Sequence, residues 1–261
     1  MTMLVNAAAV LRCFGSDCAE VTVTDVATRL GLPKASASRL LKAMREAGLL
    51  ETIGDSKRHR PGRLFLNITA AFRSSSMLIT LAAEAVARVS AACGHTGYVS
   101  VLDGAHAMAV TDHPGTNALR VVSSLGRRLP AHAAATGRTL LARLDPAEVA
   151  RIYAGGLPPG PPTAPRSLTA LQARLAEVRL RGYDQASDAA APGVDALAVA
   201  VADPRQGEAA SLCIVFPAAV VGAPERRRIL GDLIEEATAI ARATGDDGIR
   251  ATLSQLEGAT A

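Results

Sequence analysis

The chain has 261 residues, 49% of them hydrophobic and 20% charged, and its 28 lysines and arginines exceed its 24 aspartates and glutamates by a net charge of +4. This composition is that of a folded globular protein with room for two domains, and no apolar run is long enough (about 18 residues) for a transmembrane helix. With 3% aromatic residues and no tryptophan, the chain also offers little for stacking on single-stranded nucleic acid.

The N-terminal stretch MTMLVNAAAVLRCF lacks the basic start of a signal peptide and has apolar residues at helical spacing from Leu4 to Leu11. We therefore expect it to be the first helix of a domain. The chain contains four cysteines, none in a CxxC pair: Cys13, Cys18, Cys93 and Cys213. Neither a metal site nor a disulfide framework is expected, and reduced thiols in a cytoplasmic protein are the simplest interpretation.

The segment Val23–Leu50 predicts two short helices joined by a tight turn. Thr24 is a suitable N-cap for the first helix, and Gly31 ends it, because a residue with positive φ is usually needed there. Pro33 stands where the second helix begins, a position at which its missing N–H costs nothing. The inward face of the second helix is predicted from its i, i+3, i+4, i+7 spacing: Ala37, Leu40, Leu41 and Met44.

The outward face of this second helix carries hydroxyl groups and cations. Its candidate DNA-contacting residues are Lys34, Ser36, Ser38, Arg39 and Lys42. A short exposed helix of this kind, presented by a helix–turn–helix, fits the major groove of DNA.

A basic turn after the helix–turn–helix predicts a wing. Leu49–Ile53 and Arg63–Ile68 are expected to be strands flanking the turn Gly54–Gly62. The cations assigned to DNA contact in this region are Lys57, Arg58, Arg60 and Arg63, with His59 between them at the tip. An isolated charged loop is usually only a solvated surface, but directly after a helix–turn–helix we favour contact with the phosphate backbone.

The distribution of charge supports this interpretation. Residues 1–70 hold ten basic and six acidic side chains, whereas residues 71–261 hold 18 of each. The positive surplus is thus confined to one small domain, which fits phosphate neutralisation there and another task elsewhere.

The remaining elements predict an α+β domain with helices packed on an antiparallel or mixed sheet. The predicted helices are Thr69–Ala92, Ala134–Leu144, Pro146–Tyr153, Leu168–Arg181 and Pro224–Ala243. The predicted strands are Tyr98–Leu102, Ala107–Thr111, Leu119–Ser123, Ala196–Ala202 and Ala209–Phe216. We expect a winged helix–turn–helix at 1–70, a linker helix at 71–82, a second domain at 83–250 and a tail at 251–261.

Three motifs in this order resemble the IclR family of bacterial transcription regulators. They are LGLPKASASRLLKAMREAGLL, VSSLGRRLPAHAAATGRTLLARL from Val122 to Leu144, and RGYDQASDAAAPGVDALAVAVADPRQGEAASLCIVFP from Arg181 to Pro217. The resemblance implies a GAF-like effector-binding fold for the second domain. It also implies dimers or tetramers whose paired winged helices read an inverted repeat. The apolar stripes of the first helix and of Met77–Leu81 are candidate contacts between subunits.

Candidate effector contacts come from two sources. Ala135 and Gly137 stand at the start of a helix, where small residues would let a carboxylate approach backbone N–H groups, or would merely permit close packing. The resemblance adds positions that in relatives are often polar ligand contacts, here occupied by Ala186, Ala196, Cys213 and Val215. Three of these are apolar and one is a thiol, which implies a more apolar ligand, a partly hydrophobic acid, or a pocket that no longer binds one.

No catalytic motif is present, since GxGxxG, GxxxxGK[ST], HExxH and GxSxG are all absent, and no histidine is spaced as a helical metal ligand. We therefore expect neither an enzyme nor a cofactor or metal. The expected function is a cytoplasmic, DNA-binding transcription regulator whose operator affinity responds to a small effector. A ligand-independent DNA binder with a degenerate pocket remains an alternative, as does an enzyme with an appended helix–turn–helix. Effector, operator, regulated genes, direction of regulation and the choice of dimer or tetramer stay open.

Overall fold

The computed structural model describes residues 2–15, 18–54, 56–121 and 125–248, with residues 72–74 described without their side chains. The chain divides into two compact units, Met1–Ser75 and Ser76–Ala261. The predicted tail 251–261 lies outside the described residues. Within the described ranges, no helix is both long and apolar enough to cross a membrane.

The first unit combines four helices with a small antiparallel sheet. Its elements are α1 (Met3–Leu11), β1 (Val21–Thr22), α2 (Val23–Leu30), α3 (Lys34–Glu46), β2 (Leu50–Thr52), β3 (Arg58–Pro61) and α4 (Leu64–Ser75), with strand order β1-β3-β2. The four residues predicted to face inward on α3 are buried with Val10, Val26 and Leu50 in one apolar cluster. The helix–turn–helix therefore forms as predicted, including the αL conformation of Gly31 (φ 64°) at the end of α2.

The N-cap of α2 lies two residues earlier than predicted. Thr22, not Thr24, caps the helix: its side chain accepts from the N–H of Asp25, and the Asp25 carboxylate accepts from the N–H of Thr22. This reciprocal capping box is possible because the two residues stand three apart. The helical spacing from Leu4 to Leu11 predicts an apolar face that includes Leu4, but Leu4 is 80% exposed. The buried residues of this helix are Ala7 and Val10.

The predicted returning strand of the wing, Arg63–Ile68, is wrong. The strand that pairs with β2 is β3, and the segment from Leu64 onward is helical. The i, i+2 spacing of Leu64, Leu66 and Ile68 suggested a strand, but all three side chains are exposed on α4, so their spacing does not report a core-facing side.

The second unit is built on a six-stranded antiparallel sheet of order β6-β5-β4-β9-β8-β7. Its strands are β4 (Thr96–Asp103), β5 (His106–His113), β6 (Arg128–Pro130), β7 (Tyr183–Ser187), β8 (Val194–Asp203) and β9 (Glu208–Pro217). Its helices are α5 (Met77–Cys93), α6 (Ala135–Leu141), α7 (Pro146–Ile152), α8 (Leu168–Arg181) and α9 (Ala223–Thr244). The α+β class is confirmed.

Helices cover both faces of this sheet. On β9, Leu212 and Ile214 point toward α5 and α9 and join the largest apolar core, which also contains Ile229 and Leu233. The alternate residues of β9 point the other way, toward α6. A central strand buried on both faces reads as a continuous apolar run, which is why β9 was easy to predict.

The second unit differs from the prediction in three further elements. Residues 119–121 of the predicted strand Leu119–Ser123 are not in a strand, and 122–123 lie outside the described residues. The strands β6 and β7 were not predicted, because one has only three residues and the other carries polar side chains. The predicted long helix from Thr69 is interrupted at Ser76, whose side chain caps α5 by accepting from the N–H of Ile79.

The α6 side of the sheet is fixed by a buried carboxylate. Asp184 on β7 is 2% exposed and accepts from Arg138 of α6 and Arg174 of α8, each at 2.5 Å. Arg138 also donates to the backbone carbonyl of Ala133 at 2.7 Å. One acidic side chain therefore joins two helices to an edge strand, and the sequence offered no signal for it.

The capping box of α2 gives a stability prediction. Thr22→Ala is expected to lower the free energy of unfolding of the first unit by about 1 kcal/mol, because the N–H of Asp25 loses its acceptor. Thr24→Ala, an exposed position in the same turn, is the matched control and should change stability by less than about 0.5 kcal/mol. Denaturant unfolding of the full chain measures both. Equal effects of the two substitutions would contradict this assignment of the cap.

Candidate functional site

The predicted DNA-contacting residues of α3 share one exposed side of the helix. Lys34, Ser38, Arg39 and Lys42 are exposed and Ser36 is half-buried. The guanidinium of Arg39 donates to the Ser36 hydroxyl at 3.4 Å, and Lys42 forms an ion pair with Glu46 one turn later at 3.8 Å. Arg39 thus has no carboxylate partner within the described ranges, and its donors are available to an outside acceptor.

The cations of the wing are not equivalent. Arg58 pairs with Glu20 at 3.3 Å, Arg60 pairs with Glu51 at 2.6 Å, and Arg63 lies 3.9 Å from the same Glu51. Lys57, just before β3, forms no ion pair with any described residue. Only part of the basic surplus of this unit is therefore free of neighbouring carboxylates.

The residue between these arginines has a structural role. His59 is buried, since the alternation of β3 turns it inward while Arg58 and Arg60 point outward. Burial lowers the pKa of His59, and the nearby charge of Arg45 lowers it further. The imidazole of His59 is therefore neutral at neutral pH and faces inward. Of the four basic side chains predicted at the tip of the wing, three remain as cations: Lys57, Arg58 and Arg60.

Arg45 was missed in the prediction of basic contacts. It lines an open groove between the end of α3 and the β2–β3 hairpin, together with Arg60 and Arg63. The sequence did contain a signal, because Ser38, Lys42 and Arg45 follow i, i+4, i+7 spacing on one side of α3.

Five of the six predicted effector contacts come together in one small apolar cluster on the α6 side of the sheet. They are Ala135, Ala186, Ala196, Cys213 and Val215. The strand register explains the convergence, because Ala196 pairs directly with both Ala186 on β7 and Val215 on β9. Tyr98 on β4, opposite Cys213, completes the cluster and was not predicted.

Gly137 has a close backbone contact of its own. A Cβ atom at this position would overlap the backbone of Ala131, so the glycine allows α6 to pack tightly against the preceding turn. Of the two roles that the sequence leaves open, close packing accounts for the glycine without a ligand.

A cavity of about 30 Å³ adjoins the cluster, room for about one or two water molecules. Its lining includes Tyr98 and Val215 from the sheet, Val121 and Ala190 from loops, and the guanidinium-bearing Arg127 just before β6. Arg127 was also missed from the sequence, because nothing in its local pattern distinguishes it from the adjacent Arg128.

The phenol of Tyr98 at this cavity and the neighbouring thiol of Cys213 are both neutral. Burial raises the pKa of Tyr98 well above its ordinary value, with the neighbouring Cys213 adding to the rise. Burial likewise raises the pKa of Cys213 to about 12, which leaves an unreactive thiol as the sequence suggested. Arg127 is therefore the one charged residue that lines the cavity within the described ranges.

The described histidines and acidic residues do not form a metal site. Two of the histidines are buried in structural contacts: His95 lies 3.2 Å from Glu225, and His132 packs edge-on against Tyr153. Within the described ranges, no cluster of three histidines, cysteines or acidic residues could hold a metal ion.

Two family profiles match the chain, one for each unit. The profile described as the IclR helix-turn-helix domain matches residues 3–54. The profile described as the bacterial transcriptional regulator IclR C-terminal domain matches residues 70–242, which is more than half of the chain.

Full-length relatives agree with these profiles. The HTH-type transcriptional regulator XynR of Escherichia coli K12 is 28% identical over 238 residues, 90% of this chain and 94% of the relative. The transcriptional repressor IclR of the same organism is 26% identical over 200 residues, 76% of this chain and 73% of the relative.

Solved structures share the fold. An IclR transcriptional regulator from Alicyclobacillus acidocaldarius has a TM-score of 0.81 at 23% identity, covering 92% of this chain and 97% of its own. An IclR homolog from Microbacterium hydrocarbonoxydans, complexed with 4-hydroxybenzoate, has a TM-score of 0.74 at 24% identity, covering 97% of this chain and all of its own.

Proposed function

Because the chain belongs to the IclR family of bacterial transcriptional regulators, we propose specific roles for its surfaces in DNA binding, self-association and effector sensing. The protein is a DNA-binding transcription regulator with a GAF-like effector-binding domain. The observation that carries the DNA-binding assignment is the exposed side of α3, where Arg39 has no carboxylate partner among the described residues. Such a regulator acts on chromosomal DNA, so we place it in the cytoplasm, and we propose no enzymatic activity.

In DNA binding, α3 reads base edges and the wing contacts phosphates. Arg39 offers the planar donor pair that suits guanine, while Ser36, Ser38, Lys34 and Lys42 surround it. In the wing, Lys57 contributes most to phosphate contact, because Arg58, Arg60 and Arg63 already neighbour carboxylates. Both surfaces would engage a double-stranded, inverted-repeat operator.

The two kinds of contact predict different mutant behaviour. Arg39→Ala is expected to cost about 1–3 kcal/mol on the operator and little on scrambled duplex, because it removes base readout. Lys57→Ala should weaken binding to all duplexes alike and reduce the slope of log affinity against log salt by about 1. Fluorescence anisotropy on an operator selected from a random duplex pool measures both.

Arg151→Ala, an exposed position on α7 of the second unit, is the matched control for removing a positive charge. It should change neither operator preference nor salt slope. If Arg39→Ala retained full preference for the operator, the reading side of α3 would be assigned wrongly.

We propose that the DNA-binding species is a symmetric dimer or tetramer, because one winged helix covers too few base pairs for useful specificity. Among its described residues, the first unit exposes six large apolar side chains: Met3, Leu4 and Val5 on α1, and Leu64, Leu66 and Ile68 on α4. An apolar surface of this kind is a candidate for contact with another subunit. Of the Met77–Leu81 stripe, Leu78 and Ile79 are buried within the second unit and only Met77 remains a strong candidate contact.

Light scattering at micromolar concentration should therefore find at least a dimer. Leu66→Asp, at a side chain that is 72% exposed, is expected to weaken association at least tenfold, about 1.4 kcal/mol, by placing a charge in a covered apolar surface. Leu180→Asp, at an equally exposed position on α8 (79%), is the control and should leave it unchanged. A strict monomer, both free and on DNA, would refute the proposal.

For the effector we propose a partly hydrophobic acid bound over Ala135, Ala186, Ala196, Cys213 and Val215, with Gly137 at the start of α6. The mainly apolar cluster supports this class, since it offers too few polar partners for all the oxygens of a small dicarboxylate or keto acid. The Microbacterium relative, which shares the fold, is complexed with an aromatic hydroxy acid. Such a ligand changes operator affinity by preferring one arrangement of the protein over another.

The small volume of the cavity favours a second candidate function, a DNA-binding regulator that no longer responds to a ligand. About 30 Å³ is roughly a tenth of the smallest typical ligand pocket. The first candidate therefore requires that the cluster open when an effector binds, whereas the second requires that it stay closed.

A thermal-shift panel of organic acids, followed by operator release, decides between them. We expect aromatic monoacids to raise the melting temperature and to change operator affinity. Val215→Glu should abolish both effects while operator binding persists, because its carboxylate would fill the small cavity and compete with the ligand for Arg127. Stabilisation by small polar acids alone, such as glyoxylate or pyruvate, would refute the apolar class. Absence of any response would support the ligand-independent regulator.

A further inference from the structure

A positive charge at the effector cavity lacks an acidic partner. Arg127 is half-buried, lines the cavity beside Tyr98 and Val215, and forms no ion pair with any described residue. The adjacent Arg128, by contrast, is exposed and pairs with Asp103 at 3.0 Å. A guanidinium at an apolar cavity attracts an anion more strongly than one in water, because the surroundings screen it less.

Among the described residues, the Arg127 side chain makes one hydrogen bond, which joins two sides of the cavity. Its Nη2 donates to the backbone carbonyl of Ala190 at 2.5 Å. Arg127 itself is held beside β5, where its carbonyl accepts from the N–H of Ala109 at 3.2 Å. Ala190 belongs to the loop Asp188–Gly193, which follows β7 at the opposite edge of the sheet from β6.

This loop is folded by bonds of its own. Asp188 is the one described non-glycine residue with positive φ (59°), and its carboxylate accepts from the N–H of Gly193 at 2.6 Å. The N–H of Asp188 donates to Val194 at 2.9 Å. At its β8 end the loop is also tied to the segment after β9, because the Gly193 carbonyl accepts from the N–H of Ala218 at 2.8 Å. The Arg127–Ala190 bond holds the middle of the loop over the cavity.

We propose that Arg127 is the specificity-determining residue of the effector site, exchanging the Ala190 carbonyl for the carboxylate of the ligand. The proposal rests on the effector function above and deepens it. A carboxylate can accept two charge-assisted hydrogen bonds from the guanidinium, whereas the Ala190 carbonyl is a neutral acceptor. The bonds formed with an acid are therefore stronger than the bond that is broken when the loop is released. A neutral analogue of the same shape would also break the Arg127–Ala190 bond but would form a weaker hydrogen bond with Arg127. The site would therefore bind it less tightly than the acid.

The ligand test uses 4-hydroxybenzoate and its neutral analogue 4-hydroxybenzamide on the full chain, with dissociation constants from calorimetry. The wild type should bind the acid roughly 10- to 100-fold more tightly than the amide, the range expected of a hydrogen bond to a charged group. Arg127→Gln should remove most of this ratio, and Arg127→Lys should keep part of it. Arg128→Gln is the matched control and should leave the ratio unchanged.

A second measurement needs no ligand. Hydrogen exchange of the amides of Gly193 and Val194, which are bonded within the loop, should accelerate at least tenfold in Arg127→Gln and not in Arg128→Gln. Unchanged exchange would overturn the role of Arg127 in holding the loop.

The outcomes separate the two proposals. Equal affinity of the wild type for acid and amide, or an unchanged ratio in Arg127→Gln, would overturn the role of Arg127 while leaving effector sensing intact. Failure of the wild type to bind either compound, or any other acid of the thermal-shift panel, would overturn effector sensing and the Arg127 proposal with it.

Discussion

The buried carboxylate of Asp184 fixes the positions of the elements on the α6 side of the sheet. It receives Arg138 from α6 and Arg174 from α8, so two helices and an edge strand share one acceptor. Removing one partner of such a buried pair typically costs about 3–5 kcal/mol, because the remaining charge stays uncompensated. Ala135 on α6 and Ala186 on β7 are both members of the proposed effector cluster. Because Asp184 joins these two elements, the geometry of the cluster depends on this contact.

Long elements with a clear period could be predicted from the sequence, because burial imposes that period. The inward residues of α3 and α9 and the apolar run of β9 are of this kind. The strand predicted at Arg63–Ile68 shows where the argument fails. Its apolar residues are exposed on α4. An apolar pattern that usually indicates burial in the core therefore marks an exposed surface here.

Five of the six residues proposed to contact an effector lie in one apolar cluster, but the volume between them could not be predicted from the sequence. The register of β7, β8 and β9 brings the expected residues together, and that register follows from alternation along each strand. The space left between them depends on Tyr98 and on the packing of Ala190 and Val121, which are distant in sequence and carry no local signal. The free charges of the wing could not be predicted either, because Glu20 and Glu51 pair with its three arginines through contacts that are not local in sequence.

The sheet order has a consequence for how the chain is made. The strand β4 lies between β5, its neighbour in sequence, and β9, which ends at Pro217 more than a hundred residues later. During synthesis from the N-terminus, the first unit has all its strands early, whereas one edge of β4 has no partner until β9 has emerged. An unprotected strand edge recruits other chains. Translation that stalls before Glu208 therefore leaves an aggregation-prone intermediate attached to an already folded DNA-binding unit.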